Sequence, residues 1–308
     1  MGLSTTMPLN VYYDTRYNPV TFDFSYFLVN ADVYRQSTPA TSISLHIVAA
    51  DYRIASLRDQ AYEISEKRWR VQHIIGQVPR LLPTVVNISF HYDLPKNVVS
   101  PSFPPNYPEN YAEGLSSYYY PKYFLHGYDQ GAKVQPFKAS EHAKHLVRNF
   151  TRGHEYITVS LRTSRFQTAR NSNLTAWYKF SQAVKASGRR VLVIPDFEDV
   201  FHERLAWKYD WDIVDFASHD LDLRLALYED AEDNFVINNG VASLLWFSNC
   251  PFKMFKLVTP QIWATSKKYL KTSWEIEPGN TPRIFGEHQK WLWDDDSVEN
   301  LMPFVDQM

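Results

Sequence analysis

The stretch Ile157–Asn173, which reads ITVSLRTSRFQTARNSN, decides the fold because it joins a short apolar run to a polar, basic loop. The run Ile157–Leu161 has the length and composition of a buried strand. The loop after it carries Arg162, Arg165 and Arg170 among hydroxyl and amide side chains. In open α/β sheets, ligands bind beyond the carboxyl ends of the strands, so this order predicts a ligand site after the strand.

Strands and helices alternate along the rest of this half of the chain. Predicted helices lie at 140–152, 173–187, 221–231 and 241–246, and predicted strands at 157–161, 191–194 and 234–238. Gly188 takes the C-cap role after the second of these helices, and Asn239-Gly240 opens the last. Sustained alternation of this kind is typical of an α/β fold with a parallel sheet.

The N-terminal half shows the same order of elements. Predicted strands lie at 10–13, 42–50 and 84–90, and predicted helices at 22–35 and 56–78. Six prolines between Pro95 and Pro121 leave little room for regular structure, so we predict a loop there. Because a clear restart follows this loop, we place the domain boundary within 122–140, between residues 135 and 136.

Composition excludes several classes of protein. A chain of 308 residues with 44% hydrophobic content can build two cores, and a net charge of −2 lacks the basic excess of a nucleic-acid binder. The apolar runs are too short to span a membrane, which leaves only peripheral membrane contact. We read no secretory signal at the N-terminus, so we expect a cytoplasmic protein. The lone Cys250 is expected to be a packing residue.

The basic loop has the chemistry of a diphosphate site. Arginine offers a planar fork of donors that matches phosphate oxygens, and Arg162, Arg165 and Arg170 are closely spaced. Asn171 and Asn173 add amide groups beside them. The alternative is a solvated basic loop held by structural ion pairs.

A second polar group follows the strand at 234–238. Asn238, Asn239 and Gly240 stand at a strand-to-helix junction, where backbone N–H groups attract anions, and Ser243 adds a hydroxyl in the first turn. An ordinary turn is the alternative.

Carboxylates follow the strand that lies between these two features. Asp196, Glu198 and Asp199 are candidates for a sugar hydroxyl or for pairing with a loop arginine, and we predict no metal site among them. In the segment 220–224 (DLDLR) we predict that Asp220, Asp222 and Arg224 are cap and ion-pair residues of the next helix, and ligand contacts are the alternative.

The order of these motifs resembles the donor-binding half of GT-B glycosyltransferases. The motifs are S-L-R at 160–162, R-N-S-N at 170–173, I-P-D at 194–196, D-L-D-L-R at 220–224 and N-N-G at 238–240. The layout is similar to heptosyltransferases, and to fucosyltransferases in which an arginine after a C-terminal-domain strand contacts the donor diphosphate. The likeness covers roughly residues 155–260 and implies that Arg162 makes this contact, with Asn239, Gly240 and Ser243 on the phosphate side.

The resemblance implies an α/β fold of two Rossmann-like domains with a cleft between them. Residues 1–135 would form the acceptor-side domain. Residues 136–308 would bind the nucleotide-diphosphate sugar, with the C-terminal tail packing back on the first domain or simply covering core. The expected activity is sugar transfer to a glycan or other small acceptor without a cofactor. No retaining-type motif of two spaced glutamates follows Asp196, which favours inversion.

An inverting transfer needs a general base to deprotonate the acceptor hydroxyl. Asp14 and Asp23 flank the loop after the first predicted strand, and we favour Asp23, for which a helix cap is the alternative. His46 and His91 are held in reserve, since a strand histidine is usually packed or hydrogen-bonded.

Two further functions stay open at this point. One is a sugar-nucleotide epimerase on the same two-domain scaffold. The other is a non-catalytic carbohydrate-binding protein, which the 16% aromatic content and the tyrosine-rich segment 107–128 favour.

Overall fold

A computed structural model of the protein describes residues 7–48, 62–93, 95–109, 120–201 and 204–307. The chain divides into two compact units, Met1–Lys138 and Ala139–Met308, each built around a parallel sheet with helices. The predicted fold class of two Rossmann-like α/β domains is therefore confirmed. The cleft and the functional roles of the two halves stay predictions.

Unit 1 contains a four-stranded parallel sheet in the order β3-β2-β1-β4. Its elements are β1 (Leu9–Asp14), α1 (Phe24–Gln36), β2 (Ile43–Val48), α2 (Ile64–Arg70), β3 (Val85–His91), β4 (Ser102–Phe103) and α3 (Pro121–Asp129). Tyr13 of β1 packs edge-on against Phe24 and Phe27 of α1, with ring centroids 4.4 and 5.0 Å apart. These buried aromatic contacts fix the first helix against the sheet.

Two sequence predictions for unit 1 are wrong in part. The helix predicted at 56–78 starts outside the described residues, and what the structure describes is α2, a π turn at Val71–Ile75 and a 3₁₀ turn at Val78–Leu81. The proline-rich stretch is not all loop, because β4 lies within it and pairs with β1. A strand of two residues fits between these prolines because Pro101, which has no N–H group, bonds to β1 through its carbonyl. This carbonyl accepts from Asn10 N at 3.1 Å.

Unit 2 contains a six-stranded parallel sheet in the order β10-β9-β8-β5-β6-β7. Its strands are β5 (Tyr156–Ser160), β6 (Arg190–Ile194), β7 (Asp212–Ile213), β8 (Asp233–Ile237), β9 (Phe252–Phe255) and β10 (Gln289–Trp291). Its helices are α4 (Glu141–Thr151), α5 (Leu174–Ala186), α6 (Phe197–Phe201), α7 (Leu221–Asp230), α8 (Ser243–Trp246), α9 (Lys267–Ser273) and α10 (Val298–Leu301). The inner strands are buried on both faces, as continuous apolar runs predict.

Side chains and glycine set the ends of these helices. Ser140 Oγ accepts from Ala143 N at 3.1 Å and starts α4. The predicted C-cap role of Gly188 is confirmed, because this residue follows α5 with φ of +90° and its N–H bonds to Lys185 O at 3.0 Å.

The C-terminal tail covers the core of unit 2, which was the second alternative for this segment. Leu301 is fully buried with the side chains of β5, β6 and α5, and Phe304 packs on the same cluster. The buried Asp296 carboxylate accepts from Asn173 N (2.7 Å), Trp177 Nε1 (2.9 Å) and Lys256 Nζ (3.3 Å). One carboxylate therefore ties the tail to α5 and to the segment after β9.

Among the helices of the described residues, none combines the length and the apolar character needed to cross a bilayer. Cys250 is buried, and burial raises the pKa of its thiol to about 12. A thiol with so high a pKa stays protonated, which agrees with the packing role expected for it.

We expect Asp296→Ala to destabilise unit 2 by about 3–5 kcal/mol, because it leaves the Lys256 ammonium and two N–H groups without their buried acceptor. Urea unfolding followed by tryptophan fluorescence measures this change. The exposed neighbour Asp295 is the matched control, and Asp295→Ala is expected to stay within about 0.5 kcal/mol of the parent. Equal stabilities of the two variants would contradict the role given to Asp296.

Candidate functional site

The strand order of unit 2 marks one place on its sheet for a ligand. From β5 the chain adds β6 and β7 on one side, and then places β8, β9 and β10 on the other side. The order reverses between β5 and β8. In doubly wound sheets such a reversal opens a crevice outside the carboxyl ends of the two strands, where ligands bind. The candidate residues from Arg162 to Asn173 follow β5, and those from Asn238 to Ser243 follow β8.

Arg162 holds its own loop in shape. Its side chain is only 7% exposed, and its guanidinium donates to Gln167 O (3.2 Å), to Phe166 O (2.5 Å) and to Asn171 Oδ1. The backbone N–H of Arg162 also donates to Ser172 Oγ at 2.9 Å. These contacts describe a structural role, and the contact with a diphosphate stays a prediction.

Arg170 joins the loop after β5 to the turn after β8. Its Nη2 donates to Asn238 O at 2.9 Å, and its Nη1 to Gln167 Oε1 at 3.0 Å. Asn238 in turn donates through Nδ2 to Leu257 O at 2.8 Å. The loop and the turn therefore lie side by side at the carboxyl edge of the sheet, as the parallel pairing of β5 and β8 requires.

Asn171 and Asn173 serve the local backbone in this structure. Asn171 Nδ2 donates to Ser164 O at 2.9 Å, and its backbone carbonyl accepts from Lys256 Nζ at 2.8 Å. Asn173 Oδ1 accepts from Ala176 N at 3.2 Å, which makes Asn173 the N-cap of α5. The structure thus places both asparagines at the edge of the candidate site.

The turn after β8 differs from its predicted form. The helix predicted at 241–246 begins at Ser243, and a 3₁₀ turn at Gly240–Ala242 precedes it. Asn239 Oδ1 caps that turn by accepting from Ala242 N at 3.0 Å. Since α8 has four residues, its dipole is small, and the case for an anion at this helix start is weaker than the sequence suggested.

The acidic group after β6 packs against the arginine loop. Asp196 accepts from Thr163 N at 3.3 Å, and Glu198 accepts from Arg165 N at 3.1 Å. Burial, followed by the neighbouring Glu198, raises the pKa of Asp196, and Arg162 partly opposes this shift. Asp199 contacts a different segment, because its carboxylate accepts from two backbone N–H groups of the next turn. Asp196 and Glu198 therefore contact the loop through its backbone N–H groups, and their pairing with an arginine side chain stays a prediction.

The segment 220–224 departs from its predicted role at one residue. Asp220 caps α7 as expected, accepting from Leu223 N at 2.9 Å. Arg224, by contrast, forms no ion pair with any residue that the structure describes. Its Nε donates to Tyr228 OH (2.7 Å), which lies 2.7 Å from Ser160 Oγ at the end of β5. Sequence reasoning missed this arrangement, whose only signal is an Arg–Tyr pair at i and i+4.

The two aspartates proposed as bases lie in different surroundings. Asp14 is fully buried, and its carboxylate accepts from Arg16 Nε (2.9 Å) and from Tyr107 OH (3.0 Å). Asp23 is half-buried and accepts from Thr21 Oγ1 at 3.2 Å. Although Asp23 occupies the N-cap position of α1, its side chain makes no capping hydrogen bond, so the cap alternative is wrong.

The reserve histidines form a pair on one face of the first sheet. His46 Nδ1 lies 3.0 Å from His91 Nε2, and His46 Nε2 lies 3.3 Å from Asn10 Oδ1. Tyr12 stacks on the His46 ring at 4.8 Å. Burial, with the charge of His91 second, lowers the pKa of His46. Both histidines are therefore hydrogen-bonded strand residues, as expected.

Comparisons with known proteins give structural similarity alone. No known family's sequence profile matches the chain, and no curated protein matches it in sequence. The structure is similar to a glycosyl transferase family 9 protein from Veillonella parvula DSM 2008 (TM-score 0.49, 10% identity, 100% of this chain and 92% of that one). It is also similar to the E. coli heptosyltransferase WaaC with ADP (0.48, 12%, 97% and 99%) and, more distantly, to UDP-GlcNAc 2-epimerase from Methanocaldococcus jannaschii (0.38, 11%, 98% and 92%). Identities this low assign no role to individual side chains, so the roles below rest on the geometry of this chain.

We expect Arg170→Gln to loosen both the loop after β5 and the turn after β8, because it removes a charged hydrogen bond worth about 1.5–3 kcal/mol. Hydrogen exchange measures this change, and amides of 163–171 and 238–242 should exchange faster than in the parent. Arg148→Gln on the exposed face of α4 is the matched control and should leave both segments unchanged. Unaltered exchange in Arg170→Gln would show that the bond does not join the two segments.

The His46 pair predicts a pH dependence of stability with a definite sign. Because the native pKa of His46 lies below its ordinary value of 6.5, the unfolded chain takes up a proton first as the pH falls. The free energy of unfolding should therefore decrease as the pH drops below 6.5 towards the native pKa. Urea titrations across this range should show a smaller decrease for His46→Gln, whereas the exposed control His142→Gln should follow the parent. A parent-like decrease in His46→Gln would exclude this contribution.

Proposed function

We propose that the protein is a glycosyltransferase that transfers a sugar from a nucleotide-diphosphate donor to a glycan or other small acceptor. The donor would bind at the carboxyl edge of the second sheet, between the ends of β5 and β8. The single observation that carries this proposal is the convergence of the loop at 162–173 and the turn at 238–243, joined by the bond between Arg170 and Asn238.

The convergence supplies what a leaving diphosphate needs. Arg162, Arg165 and Arg170 place positive charge on the loop after β5, and the sheet keeps this loop at the switch point. Developing negative charge on the leaving group is stabilised by such fixed positive groups more strongly than by water. A nucleotide sugar leaves as a nucleoside diphosphate, so its phosphates match the charge of this edge.

The carboxylates support recognition of the sugar or ribose. The Asp196 carboxylate accepts from Thr163 N, and the Glu198 carboxylate accepts from Arg165 N. Both carboxylates therefore contact the loop after β5. Carboxylate oxygens accept hydrogen bonds from hydroxyl groups. We assign Asp196 and Glu198 to the hydroxyl groups of the donor rather than to its phosphates.

We further propose inversion without a metal ion, with Asp23 as the general base. Asp23 is favoured over Asp14 because the Asp14 carboxylate is buried and engaged by both Arg16 and Tyr107. A base must present an oxygen to the proton that it removes. Asp23 is half-buried, so solvent reaches part of the residue.

A donor screen followed by product analysis tests the function. Isothermal titration against ADP, UDP, GDP and their sugar conjugates should reveal micromolar to millimolar binding of at least one diphosphate. Incubating that sugar conjugate with a glycan panel should give a transferred sugar of inverted anomeric configuration by NMR, and EDTA should not change the rate. Asp23→Asn should lower kcat by about 100-fold or more with little change in donor affinity, as loss of a general base does.

Three outcomes decide among the functions. A donor altered without any acceptor would identify an epimerase. Glycan binding without affinity for any nucleoside diphosphate would identify a carbohydrate-binding protein. Loss of activity with EDTA, restored by a divalent cation, would contradict the metal-independent mechanism while leaving sugar transfer in place.

A further inference from the structure

Arg224 is a buried cation without a counter-ion among the residues that the structure describes. Arg224 is 4% exposed, and no carboxylate among the described residues forms an ion pair with its guanidinium. Its Nε donates to Tyr228 OH, and its Nη1 reaches Ala217 O at 3.4 Å. Its Nη2 is buried and has no hydrogen-bond partner among the described residues. A guanidinium stays charged in proteins, so this arrangement is costly unless an anion completes it.

Arg224 lies at the same edge of the sheet as the arginine loop. It stands in the first turn of α7, which enters from the carboxyl edge and leads back to the start of β8. Its partner Tyr228 lies within 2.7 Å of Ser160, the last residue of β5. The buried cation therefore lies beneath the switch point between β5 and β8.

A second unpartnered group belongs to this edge. Thr163, three residues beyond β5, is 8% exposed, and its Oγ1 has no hydrogen-bond partner among the described residues. Thr163 N is held by Asp196, and Ser218 Oγ bonds to Pro195 O at 2.8 Å, next to the segment that Arg224 contacts through Ala217. Buried polar groups in proteins are usually hydrogen-bonded. Thr163 Oγ1 and Arg224 Nη2, near the ends of β5 and β6, therefore point to a polar ligand.

The hydroxyl groups around Arg224 extend its donor set. Since Arg224 has only N–H groups, Tyr228 OH accepts from Arg224 Nε, and the Tyr228 proton is available for Ser160 Oγ. The Ser160 proton then remains for another acceptor. A guanidinium edge with hydroxyl donors matches the charge and the oxygens of a phosphate group.

We propose that Arg224, with Thr163 and Ser160, binds a phosphate of the donor diphosphate. This inference rests on the proposed function and assigns the phosphate contact to Arg224, for which the family resemblance implies no phosphate contact. Arg162 shapes the loop through bonds to its carbonyl groups, whereas Arg224 keeps a donor for the ligand. The anion site takes pyrophosphate and nucleoside diphosphates.

Titration calorimetry of the full chain with pyrophosphate, ADP, UDP and GDP tests the assignment. Arg224→Gln should weaken pyrophosphate and diphosphate binding by about tenfold to a hundredfold, the effect of losing a charged hydrogen bond. Arg148→Gln, which removes an exposed arginine from α4, should bind as the parent does. Thr163→Val keeps the shape of the side chain and should weaken the same ligands. The rise in Tm on adding pyrophosphate should shrink in step with affinity.

The outcomes separate this inference from the proposed function. Nucleoside diphosphate binding that is unchanged in Arg224→Gln and Thr163→Val overturns the site and leaves sugar transfer standing. Arg224-dependent binding of pyrophosphate, without binding of any nucleotide or nucleotide sugar, supports the site and overturns sugar transfer. No binding of any of these anions by the parent protein overturns both. If Arg224→Gln fails to fold, Thr163→Val decides: weaker pyrophosphate binding supports the site, and unchanged binding overturns it.

Discussion

The bond from Arg170 Nη2 to the carbonyl of Asn238 is the contact on which the candidate site depends. It crosses the point where the strand order of the second sheet reverses, and it holds the loop after β5 beside the turn after β8. Parallel pairing of β5 with β8 brings the two ends to one edge, and the guanidinium then fixes their distance. The convergence of charge and polar groups at this edge follows from these two constraints.

The arginines at this edge have different roles. Arg162 donates to carbonyl groups of its own loop, and Arg170 donates to the carbonyl of Asn238 in the turn, so both stabilise the edge. Arg224, buried under the same edge, has a nitrogen, Nη2, with no hydrogen-bond partner in the described part of the chain. In the proposed site, a loop held by hydrogen bonds beside a buried cation would be preorganised for an anion, because little reorganisation would be needed when the ligand binds.

The α/β fold of both units was predictable from the sequence because long alternating segments, such as 157–194, carry clear periodicity. Short elements were missed: β4 and β7 have two residues each, too few for any pattern. At the site, the sequence located the loop at 162–173 and the turn at 238–243. It misjudged Arg224, since whether a guanidinium finds a carboxylate depends on tertiary packing and not on its neighbours in the chain.

A crystal structure of the protein grown with a nucleoside diphosphate tests the central claim most directly. We expect density for the two phosphates at the carboxyl ends of β5 and β8, with a phosphate oxygen within about 3 Å of Arg224 Nη2, the length of a normal hydrogen bond. A diphosphate bound elsewhere on the chain, with the edge formed by 162–173 and 238–243 occupied by solvent alone, would contradict it.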